Sequence, residues 1–293
     1  MLPPRPPPRS PAPTSSSTAA WSGDGVNAGH AGRAVVTGAG AGSIGRAVAD
    51  ALTAAGWEVT TTTRATLDLT DRASVAAFAA AYAERSDRLD LLVNSAGIHL
   101  DLGSRWKEPQ LVDGHEVHWR TNYLGTVDLT TALLPLLLAA PEPTVLHVVS
   151  QLHERGTTDR LLGEDAPYDS WAAYGTSKLG LVHHAALLAT QYGDQGLRAL
   201  AAHPGAVSTN IADRGLETRP LLRRLRRLAL PLERRSLMSP AASAEHLVRI
   251  ATDPGAASGY YRKSRPVEPS EAARDEDARA ALDVRTQEWL SAR

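Results

Sequence analysis

Cysteine is missing from all 293 residues, which excludes disulfides, thiolate nucleophiles and cysteine-held zinc. Net charge is nearly absent too. Lys and Arg number 31 against 32 acidic side chains, so no general pull toward nucleic acid or an anionic membrane arises. The most aliphatic stretch, TALLPLLLAAP, is too short to cross a bilayer and contains Pro135. His153 and His183 lack the company of other ligands at metal-site spacing, so no metal is expected. Apolar side chains at 43% and charged ones at 22% supply what a sizeable core needs. The expectation is a soluble, cytoplasmic chain.

Residues 1–30 lack the apolar content to fold. MLPPRPPPRSPAPTSSSTAA carries seven prolines and a serine run, and has no apolar segment of the secretory-signal kind. A disordered tail is expected there, followed by one folded domain over 31–293. Its proline-rich composition also allows a third reading, a ligand for partner domains.

From Arg33 onward short apolar runs alternate with helical patterns. RAVVTGAG, WEVTTTTR, LDLLVNSAG, TVLHVVS and LRALAAHPG read as strands. SIGRAVADALTAAG, DRASVAAFAAAYAERSDR after Thr70, and SWAAYGTSKLGLVHHAALLA read as helices. This alternation predicts an α/β fold, a single doubly wound parallel sheet of Rossmann type with helices on both faces. One crossover is too short. Only Ala65 and Thr66 separate Arg64 from LDLT, where a crossover helix needs a dozen or more residues. TLDLT is therefore expected to enter by a tight turn or to sit as a short edge strand.

VVTGAGAGSIGRAVA places Gly38, Gly40, Gly42 and Gly45 between a strand and a helix start. Glycines there let a phosphate approach the backbone amides, and the helix dipole favours its charge. At the end of the second strand stands Arg64, where an arginine accommodates the 2′-phosphate of NADP. NADP(H) is therefore favoured over NAD(H). Further on, Tyr174 and Lys178 lie four residues apart on one helical face, a phenol one turn from an ammonium.

The segments TGAGAGSIG, NSAG, TNYLG, VVSQLH, YGTSK and HPGAVST, in this order, resemble the short-chain dehydrogenase/reductases. The phrases DGHEVHWRTNYLGTVDLTTALLPLL and AHPGAVSTNI look closest to the retinol-dehydrogenase-like and WW-domain-oxidoreductase-like branch. The resemblance implies hydride transfer between a nicotinamide cofactor and an alcohol or carbonyl substrate. Tyr174 would be the general acid/base, Lys178 would bind the nicotinamide ribose and lower the phenol's pKa, Ser150 would hold the substrate oxygen, and Asn122 would hold a relay water.

The resemblance further implies cofactor contacts. Thr37, Gly38, Gly42, Ser43, Ile44 and Gly45 would meet the diphosphate. Asp68 and Leu69 would meet the adenine, beside Arg64, with Asn94, Ala96 and Gly97 along the adenosine side. Pro204, Gly205, Val207 and Thr209 would meet the nicotinamide carboxamide. A homodimer through the helices around Asn122 and Tyr174 is implied as well. The spacing Gly42-Ser43-Ile44-Gly45 is one residue longer than the family's, so the turn must bulge.

Residues 210–240 read as a lid over the substrate pocket. Leu221, Leu222, Leu225 and Leu228 share one helical face after Pro220, which suggests an apolar substrate. Arg223, Arg224, Arg226 and Arg227 share the other, and peripheral membrane contact through them is a minor expectation. Trp171 and Tyr168 are expected to offer flat apolar surface near the nicotinamide. The alternative to an enzyme is a catalytically silent nucleotide-binding regulator or scaffold.

Overall fold

The chain is described by a computed structural model over residues 32–100, 106–163, 167–207 and 237–292. The proline-rich tail, Thr209 and the leucine and arginine faces of 221–228 lie outside the described residues.

Strand β1 (Arg33–Val36) shows why these runs are apolar throughout. Val35 packs into one core while Ala34 and Val36 pack into the other, and all three are fully buried. A sheet covered on both faces leaves no polar side to its strands. The same alternation runs through β3 (Leu91–Asn94), β6 (Thr144–Val148) and β7 (Arg198–His203). With β2 (Glu58–Thr61), β8 (Gly259–Arg262) and β9 (Arg265–Pro266) they form a seven-stranded sheet, ordered β2-β1-β3-β6-β7-β8-β9. Every pairing in it is parallel except that of β9 with β8.

On one face lie α1 (Ile44–Ala54) and α6 (Pro240–Thr252), which pack their Leu52 and Leu247 together with Val36 and Leu146. The other face carries α2 (Arg72–Ala83), α3 (Gly125–Leu138) and α5 (Ser170–Tyr192). Against this layer packs the C-terminal helix α8 (Glu276–Ser291) through Leu282 and Leu290. Short pieces complete the described chain: a ribbon of β4 (Leu111–Val112) and β5 (His115–Glu116), α4 (Thr158–Leu161) and α7 (Glu271–Arg274). The doubly wound α/β architecture is thus the one read from the alternation.

Helix starts follow their caps. Ser43 accepts from Arg46 N–H, Asp71 from Ala73 N–H, and Asp169 from Trp171 and Ala172 N–H. The second helix accordingly begins after Asp71, and it ends at Ala83, short of the extent read from the sequence. After β2 the chain reverses in a tight turn, with Thr66 and Leu67 N–H both donating to Thr63 O at 3.0 and 2.9 Å. Residues 67–70 then run directly to α2 without joining the sheet. Of the two expected arrangements the tight turn is the one present, and β2 is left as the outermost strand.

Candidate active site

The C-terminal ends of β1, β3, β6 and β7 open onto a cavity of about 680 Å³. This is where a parallel α/β sheet binds ligands, because loops diverge there to opposite faces. At one end it is lined by Gly38, Ser43 and Ile44, at the flank by Arg64, Asp68 and Leu69, and along the floor by Ala96 and Gly97. At the far end stand Ser150, Tyr174 and Lys178, with Pro204, Gly205 and Val207 beside them. Residues from six separate motifs therefore share one cavity.

The glycine turn is built on backbone constraints. Gly38 has φ +68°, and a Cβ there would come within 2.6 Å of Ala96 Cα. The extra residue in the turn is accommodated at Gly42, which is exposed and left-handed at φ +74°. Ser43 then donates to Gly38 O at 2.8 Å and caps α1. Gly45 sits against the strand end, where a Cβ would meet Thr37 O at 2.7 Å. Gly42 and Gly45 shape the turn without lining the cavity.

Thr37 and Asn94 lie behind the wall. The Thr37 hydroxyl is fully buried and accepts from Ser95 and Ala96 N–H, both at 3.0 Å. It thereby ties the end of β1 to the loop after β3. Asn94 Nδ2 donates to Thr130 Oγ1 at 3.0 Å and to His147 Nδ1 at 3.2 Å. His147 Nε2 and His184 Nδ1 continue that chain at 3.0 Å. Burial holds both imidazoles below their ordinary pKa, so they are neutral here.

On the adenosine flank, Arg64 Nε lies 3.4 Å from Asp68 Oδ2. Burial pulls the Asp68 carboxyl upward. Two bonds from Thr70 and the Arg64 guanidinium outweigh it, so the group stays below the usual carboxylate range. The candidate 2′-phosphate arginine therefore already has an anionic neighbour.

Asn122 lies in a π-helical turn, Trp119–Leu124, closed by Gly125 N–H donating to Arg120 O. Its side chain clamps the loop after β3, accepting from Ile98 N–H at 2.8 Å and donating to Ile98 O at 3.0 Å. It also donates to Ser177 Oγ at 3.1 Å, which in turn donates to Tyr174 O at 2.7 Å. Asn122 is fully buried and reaches the cavity through these neighbours.

Ser150 lies two residues beyond β6 and opens the following turn, where its Oγ accepts from Leu152 N–H at 3.2 Å. Burial pushes the Tyr174 phenol up to about 12, and the Ser150 side chain only partly offsets it. Lys178 does not depress it as expected. Its Nζ lies 5.9 Å from the Tyr174 ring centroid and donates to Val148 O at 3.1 Å. Burial moves the ammonium itself down to about 8.

Several neighbours were not foreseen. Glu116 accepts from His118 and Trp119 N–H at 2.8 and 2.9 Å, from His118 Nδ1 at 2.7 Å, and from Tyr168 Oη at 3.1 Å. Since His118 Nε2 accepts from Leu100 N–H, its proton sits on Nδ1, facing the carboxylate. The signal was an acid just before a helix start, where free amides want an acceptor. Tyr168 is thus held by its hydroxyl, and Trp171 packs edge-on against His99 at 4.6 Å. His153 and His183 are both fully buried. His153 Nδ1 donates to Ser150 O at 2.9 Å, and His183 lies on the inner side of α5.

Comparison with known proteins gives the same assignment. The short chain dehydrogenase family profile matches residues 60–219, more than half of the chain. Dehydrogenase/reductase SDR family member 13 of Bos taurus is 38% identical over 182 residues, covering 59% of this chain and 46% of that protein. Retinol dehydrogenase 13 of Homo sapiens is 32% identical over 147 residues, covering 50% of this chain and 43% of that one. The chain spans about half the length of the curated relatives it matches. Among solved structures, an uncharacterized protein from Mycobacterium Paratuberculosis superposes with TM-score 0.65 at 27% identity, covering 88% of this chain and 92% of that one. The chain belongs to the short-chain dehydrogenase/reductase family.

Proposed function

We propose that this protein is an oxidoreductase that moves a hydride between NADP(H) and an alcohol or carbonyl carbon of an apolar substrate. One observation carries the reading. The Ser150 and Tyr174 side chains stand together with Lys178 at the inner end of a cavity that runs back to the glycine turn. A pure nucleotide-binding regulator has no use for that pair.

The residues present fit the cofactor. Lys178 is 5% exposed and has three N–H donors, of which Val148 O takes one. A ribose diol would use the other two. Gly97 passes close by, since a Cβ there would meet Lys178 Nζ at 3.2 Å. The bound nicotinamide would supply or accept the hydride. Ser150 would hold the substrate oxygen beside the Tyr174 hydroxyl, which carries its proton at neutral pH and so stands ready to donate it to a carbonyl. Arg64, turning from Asp68, would favour the 2′-phosphate. Pro204, Gly205 and Val207 would border the carboxamide side.

The apolar substrate rests on the leucine-rich 221–228 segment and on the name of the retinol dehydrogenase relative. A homodimer through the helices of Asn122 and Tyr174 belongs to the same reading, and sedimentation velocity tests it. No helix among the described residues is long and apolar enough to cross a membrane.

Calorimetric titration with NADPH and NADH is the decisive experiment. NADPH is expected to bind more tightly, and Arg64→Ala to remove most of that preference. Tyr174→Phe is expected to bind nucleotide normally and to reduce no carbonyl substrate. Failure of the parent chain to bind either nucleotide would sink the proposal.

A further inference from the structure

The missing crossover leaves residues 67–70 with no strand partner, yet Leu69 and Thr70 line the cavity on its adenosine side. Backbone carbonyls in such a position need other donors. Arg120 provides them. Its side chain is 1% exposed, and Nη1 donates to Leu69 O at 2.8 Å while Nη2 donates to Thr70 O at 2.7 Å. The remaining Nε reaches Asp113 Oδ2 at 3.3 Å.

A buried guanidinium served by one exposed carboxylate and two neutral carbonyls is incompletely compensated. The C-terminal helix makes up the difference. The Arg120 guanidinium carbon lies 5.1 Å from the centroid of the Trp289 ring, and that of Arg72 lies 4.4 Å from it. Arg72 also donates to Trp289 O at 3.0 Å and Leu290 O at 2.7 Å, binding the carbonyl end of α8. A continuous path of contacts thus joins the last turn of α8 to the wall at 67–70.

We infer that Trp289 and Arg120 are positioning residues for the nucleotide: α8 does for the adenosine wall what a neighbouring strand would otherwise do. Trp289 does not line the cavity and acts through Arg120. The inference rests on the nucleotide reading above and adds a part of the chain that no cofactor motif includes.

The test uses the full chain and three probes, NADPH, NADH and ADP-ribose, titrated by calorimetry. Trp289→Ala is expected to weaken ADP-ribose and the preferred dinucleotide about tenfold, the scale of one desolvated cation–π contact. Trp289→Phe restores a flat ring and is expected to stay within about twofold of the parent on the same scale. Hydrogen exchange is expected to quicken at the amides of 67–70 in Trp289→Ala and to stay unchanged in β1 and β3. Unchanged affinity with unchanged exchange at 67–70 overturns the inference. So does exchange that rises equally in β1 and β3, which marks general destabilisation. A parent chain that binds none of the three probes overturns the nucleotide reading itself, and the exchange result then decides the role of Trp289 at the wall.

Discussion

The imidazole of His99 lies face to face with the phenol of Tyr174, with ring centroids 4.2 Å apart and planes 12° from parallel. His118 meets the same phenol edge-on at 6.0 Å, and Trp171 closes the outer side of His99. A phenol boxed in this way stays aimed at Ser150. His99→Leu is expected to lower kcat about tenfold with KM little changed, since an aromatic pair contributes up to ~1.5 kcal/mol. His99→Phe is expected to retain most of kcat. Equal losses in the two variants, measured on the best carbonyl substrate of the parent, would show that the stacked ring is not what matters.

Lys178 gives a pH signature. Its pKa falls from 10.5 to about 8 on folding, so the unfolded chain binds the extra proton between those values. Its burial therefore costs stability at neutral pH, and that cost fades as pH rises from about 8 to about 10.5. Lys178→Met is expected to raise the unfolding free energy by roughly 3 kcal/mol at pH 7 and to converge on the parent near pH 10.5. Urea titrations across that range check it. A gain that does not shrink with pH would refute the account.

Thr37 is predicted to be a structural hinge pin. Thr37→Val keeps the volume but strands the Ser95 and Ala96 amides, and each buried orphan costs about 1–3 kcal/mol. The urea midpoint should fall accordingly, and Thr37→Ser should recover most of it. A Val variant as stable as the parent would show that the amides find another acceptor.

Gly125 is a second packing constraint. A Cβ there would lie 2.1 Å from Leu69 O, so alanine must push the 67–70 wall outward. Gly125→Ala is expected to cost about 1–3 kcal/mol, the range for overpacking a tight contact. Nucleotide affinity should drop with it. Gly56→Ala is the control, because a Cβ at that left-handed position meets nothing and would leave the wall untouched.

The doubly wound α/β architecture and the glycine turn after the first strand were legible because alternating apolar runs and ordered motifs are local signals. Val35 and Val36 face different cores, and a run of consecutive apolar residues says as much. What was not legible depends on distant partners. Nothing near Thr37 in sequence says that its hydroxyl serves residues 95 and 96. Likewise, nothing near Arg120 points to Trp289, 169 positions away. The ionisation of Tyr174 was misjudged because charge proximity is visible in a motif, while burial is a property of the folded whole.

The shortened crossover also decides how the sheet ends. At one border stands β9, two residues long and containing Pro266, which has no N–H to offer a further strand. At the other stands β2, where a longer crossover would have brought another strand alongside. Among the described residues its border is unpaired, and it reads Glu58-Val59-Thr60-Thr61, brief and headed by a charge. Those are the features that keep an open margin from recruiting a second chain. Replacing Glu58 and Thr60 with valine would turn that margin into a template for self-assembly. The short crossover thus makes β2 the strand that guards this margin of the sheet.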